Sequence, residues 1–174
     1  KRKEKLRGKE IVFIPQSVNY LDPLMEVGKQ VKISIKDKKK SNTILERVFR
    51  KYNLDKKVEK YYPFQLSGGM ARKVFLSSAL VSNAEVIIAD EPTPGLDEKS
   101  LNEALKDFRD LADNGCAVLI ITHDISAALK IADRVAIFYG GTTLEVAKAE
   151  DFKNNGENLR HPYTKALFNA LPNT

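Results

Sequence analysis

Tryptophan is absent, cysteine occurs once and methionine twice among 174 residues. A single thiol, Cys116, excludes an internal disulfide. Its place in the apolar run Cys116-Ala117-Val118-Leu119-Ile120-Ile121 predicts a small buried side chain. No apolar stretch approaches the roughly 18 residues that cross a bilayer. The start Lys1-Arg2-Lys3-Glu4-Lys5 has no apolar segment behind it to make a secretion signal. These absences predict a soluble, cytoplasmic chain, and the missing initiating methionine reads as the mark of a piece of something longer. Internal repeats and low-complexity linkers are lacking too. What is present is an ordinary globular composition, 43% hydrophobic and 30% charged, which predicts a folded core. The net charge of +6 suits nucleotides, nucleic acid or an anionic surface without choosing among them.

The apolar pattern changes along the chain. Ile11-Val12-Phe13-Ile14, closed by Pro15, reads as a strand and then a loop. From 23 to 66, Leu24, Val27, Val31 and Ile35 fall at helical spacing, as do Ile44, Leu45, Val48, Phe49 and Tyr52 after Ser41, predicting a small helical unit. The lysines within 36–40 read as a solvated loop between its helices, with contact to anionic lipid or nucleic acid as the alternative. Beyond Leu66, helices at 68–81, 98–113 and 125–132 alternate with strands at 86–89, 117–121 and 134–138. Short β-rich runs between amphipathic helices predict a parallel α/β sheet buried on both faces. Gly140-Gly141 predicts a turn into a hairpin partner at 142–146. A polar loop at 151–158 and a terminal helix at 163–171 follow.

In such sheets ligands bind at the carboxyl ends of the strands, which here carry Gln16, Asp90, Glu91, Thr122 and His123. Neighbouring residues on an extended chain point to opposite sides, so Asp90 and Glu91 are suited to different tasks. One can anchor a hard cation such as Mg²⁺, which favours oxygen ligands and phosphates. The other can polarise an attacking water as general base. The plain alternative is that both cap the turn at Pro92. Ser67-Gly68-Gly69 opens a helix and bares backbone N–H groups for an anion, or else is an ordinary serine cap. His123 at a strand end can meet a phosphate oxygen, and Gln16 can offer a neutral oxygen to a metal or water; each can equally be an exposed surface residue.

Taken in order, Gln16, Leu66-Ser67-Gly68-Gly69-Met70, Val86-Ile87-Ile88-Ala89-Asp90-Glu91-Pro92, Gly95-Leu96-Asp97 and Ile121-Thr122-His123-Asp124 resemble the Q-loop, signature, Walker B, D-loop and H-loop of ABC transporter ATP-binding subunits. The resemblance covers practically the whole chain. Leu21-Asp22-Pro23-Leu24-Met25-Glu26-Val27-Gly28 and His161-Pro162-Tyr163-Thr164-Lys165-Ala166-Leu167 look like the branch that imports oligopeptides, dipeptides or nickel. The resemblance implies ATP and Mg²⁺ as cofactors. Asp90 would act on the Mg²⁺, with Gln16 as a further metal and sensor residue. Glu91 would act on the hydrolytic water and His123 on the γ-phosphate. Ser67, Gly68 and Gly69 would bind ATP held by an opposite subunit, and Asp97 would communicate across that dimer. It implies as partners a second ATP-binding subunit, transmembrane permease subunits and, indirectly, a solute-binding protein, with no nucleic acid. The place implied is the inner face of the cell membrane, as a peripheral subunit.

Two departures qualify the match. Pro94 stands where the family has a small polar residue, and Ala71-Arg72-Lys73 replaces the glutamine-bearing continuation of the signature, which touches the contact made in trans. The motif Gly-x-x-x-x-Gly-Lys-Ser/Thr, whose amides and lysine cradle phosphates, occurs nowhere. In the family it lies upstream of the Q-loop, so the expectation is a C-terminal portion that by itself neither binds ATP tightly nor turns it over. The same reading expects a strand and a helix to be missing from the sheet, leaving apolar surface bare. The expected organisation is a Q-loop strand and loop at 1–19, an α-helical subdomain at 20–66, the signature helix and Walker B, D-loop and H-loop core at 67–150, and a tail helix at 151–174. The fold expected is a partial P-loop NTPase-like α/β sheet with that helical insert. Competing readings are a soluble ABC ATPase acting on DNA or the ribosome, and a non-enzymatic interaction fragment. Long coiled coils or paired domains, expected of the first, are lacking, while Glu91 and His123 argue against the second.

Overall fold

A computed structural model describes residues 10–171 and divides the chain between His123 and Asp124, inside the segment 67–150. In the first unit, the β-branched runs β1 (Ile11–Ile14), β2 (Val86–Asp90) and β3 (Ala117–Ile121) form a parallel sheet in the order β1-β2-β3. Ile14 pairs with Ala89, and Asp90 with Ile121. Side chains alternate between faces, and on one face Ile14, Ile87 and Ala89 are fully buried. It lies under α3 (Gly68–Val81) and α4 (Glu98–Asp113), which pack on β1 and β3.

The opposite face is open. In register across it stand Phe13, Ile88 and Leu119, then Asp90 and Ile121; Phe13, Leu119 and Ile121 are each about half exposed, at 51%, 55% and 51%. The expectation of strands buried on both faces is therefore corrected, and that of bare apolar surface is met. Cys116 lies just before β3 and is half-buried, less covered than its apolar run predicted. Burial still pushes its thiol pKa up.

Residues 20–66 contain helices and 3₁₀ turns and no strand. Val27 and Val31 of α1 (Val27–Ser34) and Ile35 just after it join Leu45, Val48 and Phe49 of α2 (Ser41–Lys51), and Tyr52 just after it, in one core with Val58 and Val74. Leu24 shares their spacing but lies ahead of α1 and is exposed. Gly28 lets α1 approach closely, since a β-carbon there would stand 2.8 Å from both the Glu59 carbonyl oxygen and its Cβ. Lys36 and the turn Lys38–Lys40 are exposed, the Asp37 side chain accepting from the N–H groups of Lys39 and Lys40.

The second unit has its own small core. A short helix α5 (Ile125–Leu129), capped by Asp124, stops three residues before the predicted end. β4 (Arg134–Tyr139) pairs antiparallel with β5 (Thr142–Lys148) across Gly140 and Gly141, both at positive φ. The hairpin is as predicted, but β4 has no parallel partner among the described strands, which corrects its expected place in the parallel sheet. Ile137, Ala147, Phe152 and Leu159 form the core, backed by Leu167 and Phe168 of α6 (Pro162–Asn169). The Glu145 carboxylate accepts from the N–H groups of Arg160 and His161 at 2.8 and 3.0 Å.

Candidate active site

The parallel direction of three adjacent strands brings their carboxyl ends to one edge. Ile14, the last residue of β1, is level with Ala89, and Gln16 lies two residues beyond it; because Asp90 is level with Ile121, Thr122 and His123 follow beside Glu91. Gln16 and His123 are exposed, and Asp90 and Glu91 half-buried.

Glu91 leaves the strand in the left-handed region, at φ 46°, a conformation costing a non-glycine residue about 1–2 kcal/mol. Pro92 adds a restriction of its own on the residue before it. The surroundings hold this geometry at several points. The Glu91 N–H donates to the Ile121 carbonyl at 2.8 Å. Its carboxylate accepts from the His123 N–H at 3.0 Å and the Thr122 hydroxyl at 3.3 Å. His123 Nδ1 lies 2.8 Å from Glu91 Oε1. The result is a fixed, nearly covered carboxylate, 14% exposed, beside an imidazole that is 82% exposed. A carboxylate so held can take a proton from a water, and the imidazole can meet an anion from solvent.

The other predicted residues gather at the start of α3. Ser67 caps the helix, its Oγ accepting from the Met70 N–H at 3.2 Å. A β-carbon on Gly69 would fall 2.7 Å from the Gly95 carbonyl oxygen, so only glycine lets the two loops touch. Asp97 caps α4, accepting from the Ser100 N–H at 3.0 Å and hydroxyl at 2.8 Å. Lys73 Nζ reaches Asp97 at 2.8 Å. That hydrogen bond, followed by those from Ser100, holds the Asp97 carboxyl well below the usual carboxylate range.

Arg72, outside the motifs that mark the candidate site in the sequence, also reaches it. Its guanidinium donates to the Glu91 main-chain carbonyl, tying α3 to the backbone just past β2. Burial pushes its pKa down, against the opposing pull of the Glu91 charge. The available signal was a long cation in the first turns of a helix that must pass the end of β2.

Among the described residues no three of His, Cys, Asp or Glu form a metal cluster. The oxygen donors at the strand ends, the Asp90 carboxylate and the Gln16 amide, fit a hard cation that takes one or two protein ligands and completes its shell with water and phosphate.

The family model described as ABC transporter matches residues 1–94. The chain belongs to the ABC transporter family. Among curated relatives, the oligopeptide transport ATP-binding protein OppD of Lactococcus lactis subsp. cremoris is 32% identical over 96% of this chain and 51% of its own length. The metal-staphylopine import system ATP-binding protein CntD of Staphylococcus aureus is 33% identical over 97% of this chain and 65% of its own. This ABC transporter chain thus spans about half the length of the OppD relatives it matches. Its fold is similar to that of the ATP-binding cassette MJ0796 in a dimeric post-hydrolysis state bound to ADP and Pi, at a TM-score of 0.75 and 26% identity, covering 85% of this chain and 66% of that one. No helix among the described residues of this ABC transporter chain is long and apolar enough to cross a membrane.

Proposed function

We propose that this chain supplies the hydrolytic and signature elements of an ATP-hydrolysing subunit that drives solute import through a membrane permease. The observation that carries it is the contact of Glu91, just past β2, with His123, just past β3, at 2.8 Å, at the edge of a parallel sheet where Asp90 ends β2 and Gln16 follows β1. Phosphoryl transfer needs positioning and charge stabilisation more than covalent chemistry, and the residues divide that work. Glu91 orients a water and accepts its proton. His123 binds the γ-phosphate. Asp90 and Gln16 hold Mg²⁺, whose charge offsets that of the phosphates.

Ser67, Gly68 and Gly69 form an anion seat for ATP carried by a second ATP-binding subunit. Asp97, clamped by Lys73 and Ser100, fixes the loop at that junction. The loop cradling the remaining phosphates is supplied by sequence outside these 174 residues. Segment 20–66 serves as the helical subdomain that meets the permease on the inner face of the membrane; its exposed Tyr20, Leu24, Ile33 and Phe64 offer apolar contact there. The names of the relatives point to a peptide or a metal chelate as solute, delivered by a solute-binding protein.

The test is Mg²⁺-dependent ATP turnover by this chain and by a version extended upstream through a phosphate loop, each with Glu91→Gln. Turnover by the extended form alone, lowered at least about a hundredfold by Glu91→Gln with ATP binding retained, is the expected result. Turnover unaffected by Glu91→Gln overturns the assignment.

A further inference from the structure

A cationic groove of about 500 Å³ runs between α2 and α4, away from the strand ends. Arg47 and, one turn on, Arg50 and Lys51 line it from α2; Lys99 and Lys106 line it from α4. Its base is closed by a buried tie. The Tyr52 hydroxyl donates to Asp107 Oδ2 at 2.6 Å, and the Lys51 ammonium pairs with the other oxygen of the same carboxylate. Tyr52 and Asp107 are 1% and 3% exposed, so the two helix faces are held at a fixed separation.

The tie consumes Lys51 and leaves the other cations largely unused. Arg50 reaches Glu46 only at 3.7 Å, and among the described residues Arg47, Lys99 and Lys106 form no ion pair. With Lys51 paired to Asp107, Arg47, Arg50, Lys99 and Lys106 face only the carboxylates of Glu103 and Asp110 in the groove. The remaining excess of positive charge favours a bound anion.

The spacing on α4 narrows the ligand. Lys99 and Lys106 are seven residues apart, two turns and about 10 Å along the axis, on the same face. Glu103 lies between them on that face, and its Oε2 is out of contact with solvent with no hydrogen-bond donor among the described residues. The terminal torsion of a glutamate is soft, so a small rotation offers this acceptor to a hydroxyl in the groove. Two cationic ends with an acceptor between them match two phosphates joined by a hydroxylated spacer. The volume is that of a small-molecule site. With no aromatic residue in the lining, there is no platform for stacked bases, which disfavours nucleic acid.

We propose that the groove between α2 and α4 binds a soluble sugar-bisphosphate-like polyol, its phosphates on Lys99 and Lys106 with help from Arg47, and a hydroxyl on Glu103. The inference is independent of the ATPase reading, since it uses none of the strand-end or signature residues. The test is calorimetric titration of the full-length subunit, its nucleotide site saturated with Mg²⁺–ADP. The probes are fructose 1,6-bisphosphate, inorganic pyrophosphate, and vesicles of phosphatidylglycerol. Expected is saturable binding of fructose 1,6-bisphosphate with Kd below about 1 mM, salt-sensitive, and weakened about tenfold by Lys99→Ala or Lys106→Ala. Both lysines are exposed, so the fold survives their removal, as circular dichroism would confirm. Glu103→Ala weakens the bisphosphate and leaves pyrophosphate unchanged or tighter. Failure to saturate by that concentration, pyrophosphate bound as tightly as the bisphosphate, binding indifferent to the lysine substitutions, or binding to vesicles alone would each overturn the proposal.

Discussion

Glu91 combines the chemical task proposed for it with an unfavourable backbone, and the two can be separated experimentally. At φ 46° an alanine bears the same left-handed cost as the glutamate, whereas glycine does not. Glu91→Gly is therefore expected to be more stable than Glu91→Ala by about 1 kcal/mol in urea unfolding, although both lose the carboxylate. Arg72 acts on the same residue from the other side, through its bond to the Glu91 carbonyl. In the full-length subunit, Arg72→Gln should lower kcat severalfold with KM little changed, the pattern of lost positioning rather than lost substrate binding. A proportional rise in KM at constant kcat would remove Arg72 from that role.

At the scale of elements, close backbone approaches and one buried tie fasten the helical insert and α4. Gly28→Ala drives a β-carbon into the Glu59 carbonyl and Cβ, both at 2.8 Å, and backbone cannot rotate aside. A loss of about 1–3 kcal/mol in unfolding free energy is expected, with α1 and the turn Lys56–Lys60 losing amide-exchange protection first. Tyr52→Phe deletes a donor to the buried Asp107 carboxylate and should cost about 1.5–3 kcal/mol. The Asp107 contact was not legible in the sequence. An aspartate in an amphipathic helix reads as a polar-face residue until Lys51, the last residue of α2, and Tyr52 after it arrive from more than fifty positions away.

For the whole molecule, the division at His123 separates a unit with an extensive core from one resting on Ile137, Ala147, Phe152 and Leu159. So small a core is marginal by itself, and amide exchange of β4, β5 and α6 should be faster than that of β2 and α3. Phe152→Ala, costing about 3–5 kcal/mol, is expected to unfold the second unit while leaving the first intact. Acid should act on the same unit through Glu145. Burial raises that carboxyl's pKa, but the N–H groups of Arg160 and His161 outweigh it and hold the carboxyl below its usual range. A lowered folded pKa contributes stability that is complete above the unfolded value and is lost as pH falls through the folded one. Stability of the second unit should thus decline below about pH 4.3, and Glu145→Gln should flatten that decline.

The sequence by itself determined the elements and the candidate chemistry. Period-2 and period-3.6 apolar patterns, serine and aspartate caps, and five short motifs are local signals, written within a few residues of the structure they specify. They placed α3, α4 and β3 at their observed bounds and marked Gln16, Asp90, Glu91 and His123 as candidate site residues. Tertiary structure alone decided the partnerships, because pairing depends on which surfaces meet. It left one face of the parallel sheet open around Phe13 and Leu119, paired β4 with β5 alone among the described strands, and turned Glu91 into the left-handed region to face His123. It also brought Arg72 to the Glu91 carbonyl and Tyr52 to Asp107, contacts between residues whose own neighbours in the chain carry no trace of them.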